Sequence, residues 1–171
     1  GYDVVGVTLR LWSCDDASTE SSCCDAEAIG MARAVSDRLG IQHEIIEGLD
    51  VFDARVLRPS WDEYSRGRTP NPCVLCNPDV KLASLIRRAD ELDADWVATG
   101  HHARLMWSQG GSQLLRGADP DKDQSYFLFR LEVAQLDRTL FPVGGMTKPE
   151  VRDIARRLEL PNADRADSQD A

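Results

Sequence analysis

The sequence Val4-Val-Gly-Val-Thr-Leu-Arg-Leu-Trp12 is rich in apolar and β-branched residues, and it predicts a buried β-strand. From Cys24 to Leu39 apolar residues recur at spacings of three and four, which predicts an amphipathic helix that ends at Gly40. Residues 41–46 predict a second short strand. A strand, a long helix and a strand in this order predict a βαβ unit, whose two strands lie parallel in one sheet.

The rest of the chain continues the alternation. We expect a helix over 50–66 with a break or kink at Pro59, a helix that begins at a cap near Asp79, and a strand over 96–99. Three prolines between positions 70 and 78 predict that no regular structure forms there. The remaining predicted elements are a hairpin of residues 103–107 and 113–115 and a helix over 149–158.

These elements predict the α/β fold class with a Rossmann-like parallel sheet. Ligands of such sheets bind at the carboxyl ends of the strands, and Gly100-His101-His102 follows a predicted strand directly. His101 could bind a phosphate or act as an acid or base, or the segment could be an ordinary turn. The polar loop Asp119–Ser125 could contact a polar partner, or it could be an ordinary solvated turn.

The net charge of the whole chain and the local charge of one segment point to different partners. The 171 residues contain 20 Lys and Arg against 29 Asp and Glu, and the net charge of −9 argues against a general nucleic-acid coat or a polybasic membrane binder. Residues 55–88 nevertheless carry seven bases and three acids, a local charge of +4. This window could bind an anion, because charges act within a Debye length of about 8 Å, or it could form solvated helix faces. No apolar run approaches the roughly 18 residues of a membrane span.

The cysteines indicate a reducing compartment, which we expect to be the cytoplasm, because their number is odd and no secretory pattern opens the sequence. Cys73-Val-Leu-Cys76 lies between prolines, just before a predicted helix start and near the bases Arg66, Arg68 and Lys81, and both features would favour a thiolate. A catalytic thiol, half of a metal or cluster site, and a structural pair all remain open. The five cysteines are Cys14, Cys23, Cys24, Cys73 and Cys76.

Four strings, in this order, closely resemble the tRNA-specific 2-thiouridylase family. They are Gly67-Arg-Thr-Pro-Asn-Pro-Cys-Val-Leu-Cys-Asn77, Ala98-Thr-Gly-His101, Leu114-Leu-Arg-Gly-Ala-Asp-Pro-Asp-Lys-Asp-Gln-Ser-Tyr-Phe-Leu128 and Leu140-Phe-Pro-Val-Gly144. The first and third strings are long and specific, unlike a bare C-x-x-C.

The resemblance implies a fold of the adenine-nucleotide α-hydrolase type, with an incomplete nucleotide-binding and catalytic domain over 1–140 and the start of a tRNA-contacting domain over 141–171. It implies that ATP with Mg²⁺ adenylates the wobble uridine of tRNA at C2, and that a persulfide sulfur then displaces AMP to give 2-thiouridine. The implied partners are tRNA and a persulfide donor, either a cysteine desulfurase or a relay protein. No interaction with a membrane is implied.

The resemblance also implies roles for individual residues. Cys76 matches the sulfur-carrying nucleophile, and Cys73 is a candidate auxiliary thiol. Leu9 and Gly100 match ATP-binding positions. Positions that meet the target base or the tRNA are Asn71, Pro72, Cys73, His101, Lys122, Asp123 and Gln124.

The sequence departs from the family pattern in three ways. The S-G-G-x-D-S pyrophosphate loop is expected before Gly1, and a second cysteine that would form a disulfide with Cys76 is expected beyond Ala171, so the 171 residues alone are expected to be inactive. Some members carry Asp at the position of Cys73, as an acid or base. Cysteine there raises the alternative of an iron–sulfur cluster held through Cys73 and Cys76, in a non-catalytic metal- or cluster-binding RNA module.

Overall fold

The computed structural model describes residues 1–11 and 25–165. The chain divides into two compact units, one formed by Gly1–Glu47 with Pro149–Ala171 and the other by Gly48–Lys148. The predictions made for Cys14, Cys23, Cys24 and the stretch 167–170 lie outside the described residues. The domain division predicted at residue 140 stays a prediction.

The first unit contains the predicted βαβ arrangement. Strand β1 (Val5–Arg10) is followed by helix α1 (Asp25–Leu39) and strand β2 (Gln42–Glu47). The two strands are parallel and pair in register from Val5 with Gln42 to Arg10 with Glu47. Gly40 ends the helix at a φ of +67°, a left-handed conformation that glycine adopts without strain, so this prediction is confirmed.

The second unit begins with a helical run that keeps going through Pro59. Helix α2 (Leu49–Phe52) passes into a π-helical turn, Asp53–Leu57, and then into helix α3 (Arg58–Ser65). Pro59 lies in the first turn of α3, directly after the π-helical turn, where the hydrogen-bond pattern already shifts. The predicted break is therefore a change of helical pitch just before the proline.

The prediction of irregular structure over 70–78 is wrong. Helix α4 (Pro72–Cys76) leads into a π-helical turn, Asn77–Leu82, and then into helix α5 (Ala83–Glu91). Asn71 caps this run, since its Oδ1 accepts a hydrogen bond of 3.1 Å from the Cys73 N–H. Pro72 occupies the first helical position, and Pro78 falls in the π turn, where the hydrogen-bond pattern already shifts.

The second unit also contains four short strands in two pairs. Strand β3 (Val97–Ala98) pairs in parallel with β6 (Thr139–Leu140), and the predicted hairpin is confirmed as β4 (Ala103–Ser108) with β5 (Gly111–Arg116). A 3₁₀ turn, Ser125–Leu128, and helix α6 (Val133–Leu136) lie between the hairpin and β6. The buried core of this unit consists of Leu82, Ala89, Val97, Ala103, Leu128, Leu131 and Leu136.

Helix α7 (Lys148–Arg157) confirms the last predicted helix within one residue at each end. In the first unit, ion pairs join the segment after α7 to α1, from Arg38 to Glu159 and from Glu27 to Arg165. Within residues 1–11 and 25–165, no helix has the length and apolar content that crossing a membrane requires.

Two glycines in the second unit lie against the backbone that follows β3. A Cβ atom added at Gly117 would lie 2.6 Å from the carbonyl oxygen of His102, and one added at Gly144 would lie 1.6 Å from the carbonyl oxygen of Ala103. Real Cβ atoms do not approach a carbonyl oxygen so closely. Residues 102 and 103 therefore keep their positions only because both neighbours lack a side chain.

We expect Gly144→Ala to destabilise the protein by about 3 kcal/mol or more, because backbone must move to admit the methyl group. Urea unfolding measures this change. Gly145→Ala is the matched control, since a Cβ at Gly145 meets nothing within 4 Å, and it should stay within about 1 kcal/mol of the unsubstituted protein. Equal stabilities of the two variants would contradict the close approach.

Candidate functional site

The two cysteines of the C-x-x-C lie on helix α4, in the second unit. Cys73 and Cys76 are three residues apart and so lie on the same helix face. Cys73 is half-buried, whereas Cys76 is only 7% exposed. Both are free thiols.

Burial raises the pKa of the Cys76 thiol, because the thiolate loses its hydration. The charge of Lys81 acts in the opposite direction, and Cys73 adds a smaller increase. The predicted thiolate at a helix start is wrong, because Cys76 is the last residue of α4 and lies inside a continuous helical run. Of the three bases that the sequence placed near Cys76, Lys81 is the one that acts on it, since Arg66 and Arg68 pair with Glu63.

The π-helical turn explains why Lys81 lies on the same side as Cys76. Its hydrogen bonds join residues five apart, so positions 76 and 81 come one above the other. In a regular α-helix, residues five apart do not share a face. Lys81 is half-buried and makes no ion pair with any residue that the structure describes.

His101 belongs to the same cluster. It follows β3, its Nδ1 lies 2.8 Å from the Thr99 Oγ1, and its ring meets Phe141 edge-on at 6.0 Å. Burial, and to a lesser degree the charge of Lys81, lower the pKa of His101 to about 4. His101 is therefore neutral at pH 7, which favours a hydrogen-bonding role over the phosphate-binding cation that the sequence allowed.

The loop 119–125 uses its own polar side chains. The carboxylate of Asp123 accepts hydrogen bonds of 3.0 Å from the backbone of Gly117 and from both the backbone and the hydroxyl of Ser125. Burial acts to raise the pKa of Asp123, but these hydrogen bonds and Arg116 outweigh it and hold that pKa below its ordinary value.

Gln124 joins this loop to the segment after β3. Its Oε1 accepts a hydrogen bond of 3.0 Å from the His102 N–H, and its own N–H donates one of 3.0 Å to the His102 carbonyl. The backbone N–H of Lys122 donates to the Asp119 carbonyl at 3.3 Å. The structure thus joins the loop that carries the predicted positions 122–124 to His102, the residue after the predicted position 101.

Two further hydrogen bonds join the π-helical turn that follows Cys76 to the residues after that loop. The Nδ2 of Asn77 donates to the Phe127 carbonyl at 3.1 Å, and the Nε2 of Gln135 donates to the Pro78 carbonyl at 3.0 Å. The Oδ1 of Asn77 is buried and has no hydrogen-bond partner in the described part of the chain. Asn77, Thr99 and Phe141 carry no role predicted from the sequence, although all three lie in its motif strings.

The two predicted nucleotide-binding positions lie in different units. Gly100 follows β3 in the second unit, and a Cβ added there would meet nothing within 4 Å, so the space beside its backbone is open. Leu9 lies on β1 in the first unit, opposite Ile46 of β2.

The described residues offer no group of three His, Cys, Asp or Glu side chains that could hold a metal ion. Cys73 and Cys76 supply two thiols, and an iron–sulfur cluster ordinarily needs more. The residues of the described chain therefore do not fit a cluster.

Comparison with known proteins gives consistent matches over the whole chain. The family model described as tRNA methyl transferase HUP domain matches residues 1–171. Proteins named tRNA-specific 2-thiouridylase MnmA from Sorangium cellulosum, Geobacter metallireducens and Thermus thermophilus are 48%, 46% and 45% identical over 99% of this chain. These matches cover 44%, 48% and 47% of the relatives, so the chain spans about half the length of the curated relatives it matches.

We expect Lys81→Met to slow alkylation of Cys76 by iodoacetamide at pH 7.5 about threefold or more, because loss of the ammonium raises the pKa of a buried thiol further. Mass spectrometry of the peptide that contains Cys76 measures the rate. Arg66→Met is the matched control, since it removes the same charge from a residue paired with Glu63, and it should leave the rate unchanged. Equal rates in the Lys81→Met and unsubstituted proteins would refute the role of Lys81.

His101 should make stability depend on pH. Because its folded pKa of about 4 lies below the ordinary value of 6.5, its contribution is complete above pH 6.5 and is lost as pH falls toward 4. We expect the free energy of unfolding to fall by about 2 kcal/mol more between pH 7 and pH 4.5 in the unsubstituted protein than in His101→Gln. Urea unfolding at both pH values tests this, and parallel losses would show that His101 titrates normally.

Proposed function

The chain belongs to the tRNA methyl transferase HUP-domain family, and on that premise we propose that the natural protein carrying these residues is a tRNA sulfurtransferase. It replaces O2 of the wobble uridine with sulfur and so forms 2-thiouridine, at the expense of ATP. The observation that carries this proposal is the cluster of Cys76, Lys81 and His101 at the end of a parallel strand, in a chain 45–48% identical to proteins named 2-thiouridylases.

We propose that ATP with Mg²⁺ binds beside the backbone of Gly100, where an added Cβ atom would meet nothing within 4 Å. Leu9, in the first unit, stays a predicted ATP-binding position. When bound, ATP supplies the adenylyl group that makes the uridine oxygen a good leaving group. A glycine suits this position because a nucleotide can approach its backbone closely.

Cys76 carries the sulfur in this proposal. A donor protein, a cysteine desulfurase or a relay protein, transfers the outer sulfur of its own persulfide to the thiol of Cys76, and the donor keeps a thiol. The outer sulfur on Cys76 then attacks C2 of the adenylated uridine, and the bond from C2 to the oxygen breaks with release of AMP. Lys81 offsets the negative charge of the attacking sulfur, and the fixed helix α4 holds it in place.

Cys73 is the candidate auxiliary thiol for release of the product. Attack of a second thiolate on the sulfur of Cys76 would break the remaining S–S bond, free the thiolated base and join the two cysteines. Cys73 is one candidate for this thiolate, and the second cysteine that the resemblance implies is the other. The half-buried position of Cys73 on the same face of α4 supports this role. A reductant would then restore both thiols.

We propose two kinds of RNA-contacting residue. Asn71, Pro72 and Cys73 meet the target base, which must leave its stack at a cost of a few kcal/mol. His101, as a neutral hydrogen-bonding group, and Lys122 meet the tRNA nearby. Asp123 and Gln124 act mainly by shaping the loop, since their side chains bind the loop backbone and that of His102.

The alternative of a non-catalytic cluster-binding RNA module is not favoured. The described residues supply two thiols and no third ligand, and the relatives carry the names of enzymes. We place the protein in the cytoplasm, where its proposed tRNA substrate and sulfur donor occur.

We expect Cys76→Ser to abolish formation of 2-thiouridine in the natural chain, because a hydroxyl cannot carry the persulfide. The affinity for tRNA should stay within about twofold, because the change only replaces one buried sulfur atom with oxygen. Nucleoside mass spectrometry after incubation with tRNA, ATP and a sulfur donor measures the product. Cys73→Ser is the matched control, and it should still accept a persulfide on Cys76. Unimpaired thiolation by Cys76→Ser would sink the assignment.

A further inference from the structure

The second unit contains an open groove of about 580 Å³ beside the π-helical turn Asn77–Leu82, which directly follows Cys76. Most of its lining is charged or polar, so it suits a solvated, charged ligand better than a small apolar molecule. Three arginines line it: Arg55 of the first π turn, Arg87 of α5, and Arg130 after the 3₁₀ turn. The acids of the lining are Asp79 and Glu132.

The ion pairs show which cations of the positive window are available to a ligand. Four of its seven bases pair with acids, in the pairs Arg58–Asp53, Arg66–Glu63, Arg68–Glu63 and Arg88–Glu91. Within the described ranges, Arg55, Lys81 and Arg87 make no ion pair. Lys81 acts on Cys76 and His101, so Arg55 and Arg87 are the exposed cations that remain.

Both acids of the groove already have partners. Asp79 pairs with Arg130 at 3.3 Å. The side chain of Glu132 accepts from the backbone at the start of α6 in a capping box. Neither acid pairs with Arg55 or Arg87, so the positive charge of these two arginines is not cancelled by contact.

The groove borders the part of the site that would meet RNA. Pro78 and Asp79 line it, and they follow Cys76 by two and three residues in the same helical run. The carbonyl of Pro78 is held by Gln135, which also lines the groove. A strand that presents a base at Cys76 would therefore have its neighbouring phosphates close to this groove.

We propose that this arginine groove, defined by Arg55, Arg87 and Arg130, binds the phosphodiester backbone of the RNA next to the target uridine. The inference rests on the proposed function and adds a surface to the contacts implied at positions 71–73, 101 and 122–124. Contacts to phosphates increase affinity and position the RNA without recognising its base sequence. Arginines that line a groove can make such contacts.

The test is the double variant Arg55→Gln/Arg87→Gln in the natural chain, with binding of an unmodified tRNA transcript measured over a range of KCl concentrations. Each lost phosphate contact lowers the slope of log affinity against log salt by roughly 0.7–0.9. We expect the slope to fall by about 1.5 and the affinity at low salt to fall roughly tenfold.

The matched control is Arg33→Gln/Arg157→Gln, which removes two exposed arginines of the first unit that have no ion pair among the described residues. It lowers the net charge by the same two units as the groove variant. It should change the slope of log affinity against log salt by less than about half of the change in the groove variant. An equal change in both variants, or no change in the groove variant, overturns the proposal.

The unsubstituted protein separates this inference from the proposed function. If it binds tRNA but forms no 2-thiouridine, the proposed function fails, and the two slopes still decide whether the groove binds RNA. A groove variant with an unchanged slope but slower persulfide loading of Cys76 would show that the groove receives an acidic sulfur-donor protein, and this outcome also overturns the proposal.

Discussion

The packing of one short backbone segment between two glycines constrains the whole candidate site. The carbonyls of His102 and Ala103 lie where any side chain at Gly117 or Gly144 would collide with them. Gln124 holds the same segment through both backbone groups of His102. A backbone segment that is packed on several sides cannot shift easily. We therefore expect Gly100 and His101, which directly precede it, to keep one geometry relative to helix α4 in the same unit.

The site also balances two opposed effects on the reactive sulfur. Burial of Cys76 disfavours the thiolate, and the nearby ammonium of Lys81 opposes that effect without reversing it. The free thiol is therefore less reactive toward adventitious electrophiles than an exposed one. The same burial lowers the pKa of His101, so a low-dielectric environment keeps both the sulfur and the imidazole uncharged at rest.

Periodicity predicted most of the secondary structure, because the first βαβ unit, the hairpin and α7 follow from local patterns of apolar residues, glycine and proline. The prediction for 70–78 is wrong because the effect of a proline depends on its position, and Pro72 and Pro78 occupy places where a helix tolerates them. The sequence identified the cysteines and the positive window. It could not identify which cations remain unpaired, because ion pairs such as Arg58–Asp53 and the two with Glu63 depend on side-chain geometry in the folded chain.

The wide turn at Asn77–Leu82 also governs which changes of length this part of the chain can accept. Its hydrogen bonds join residues five apart, so a one-residue deletion there would leave Cys76 four residues from the lysine, the spacing at which side chains of an ordinary α-helix share a face. A one-residue insertion would instead rotate Cys76 by about 100° relative to α5, because each residue of an α-helix advances the chain by that angle. Among related sequences, this segment should therefore lose a residue far more readily than it gains one.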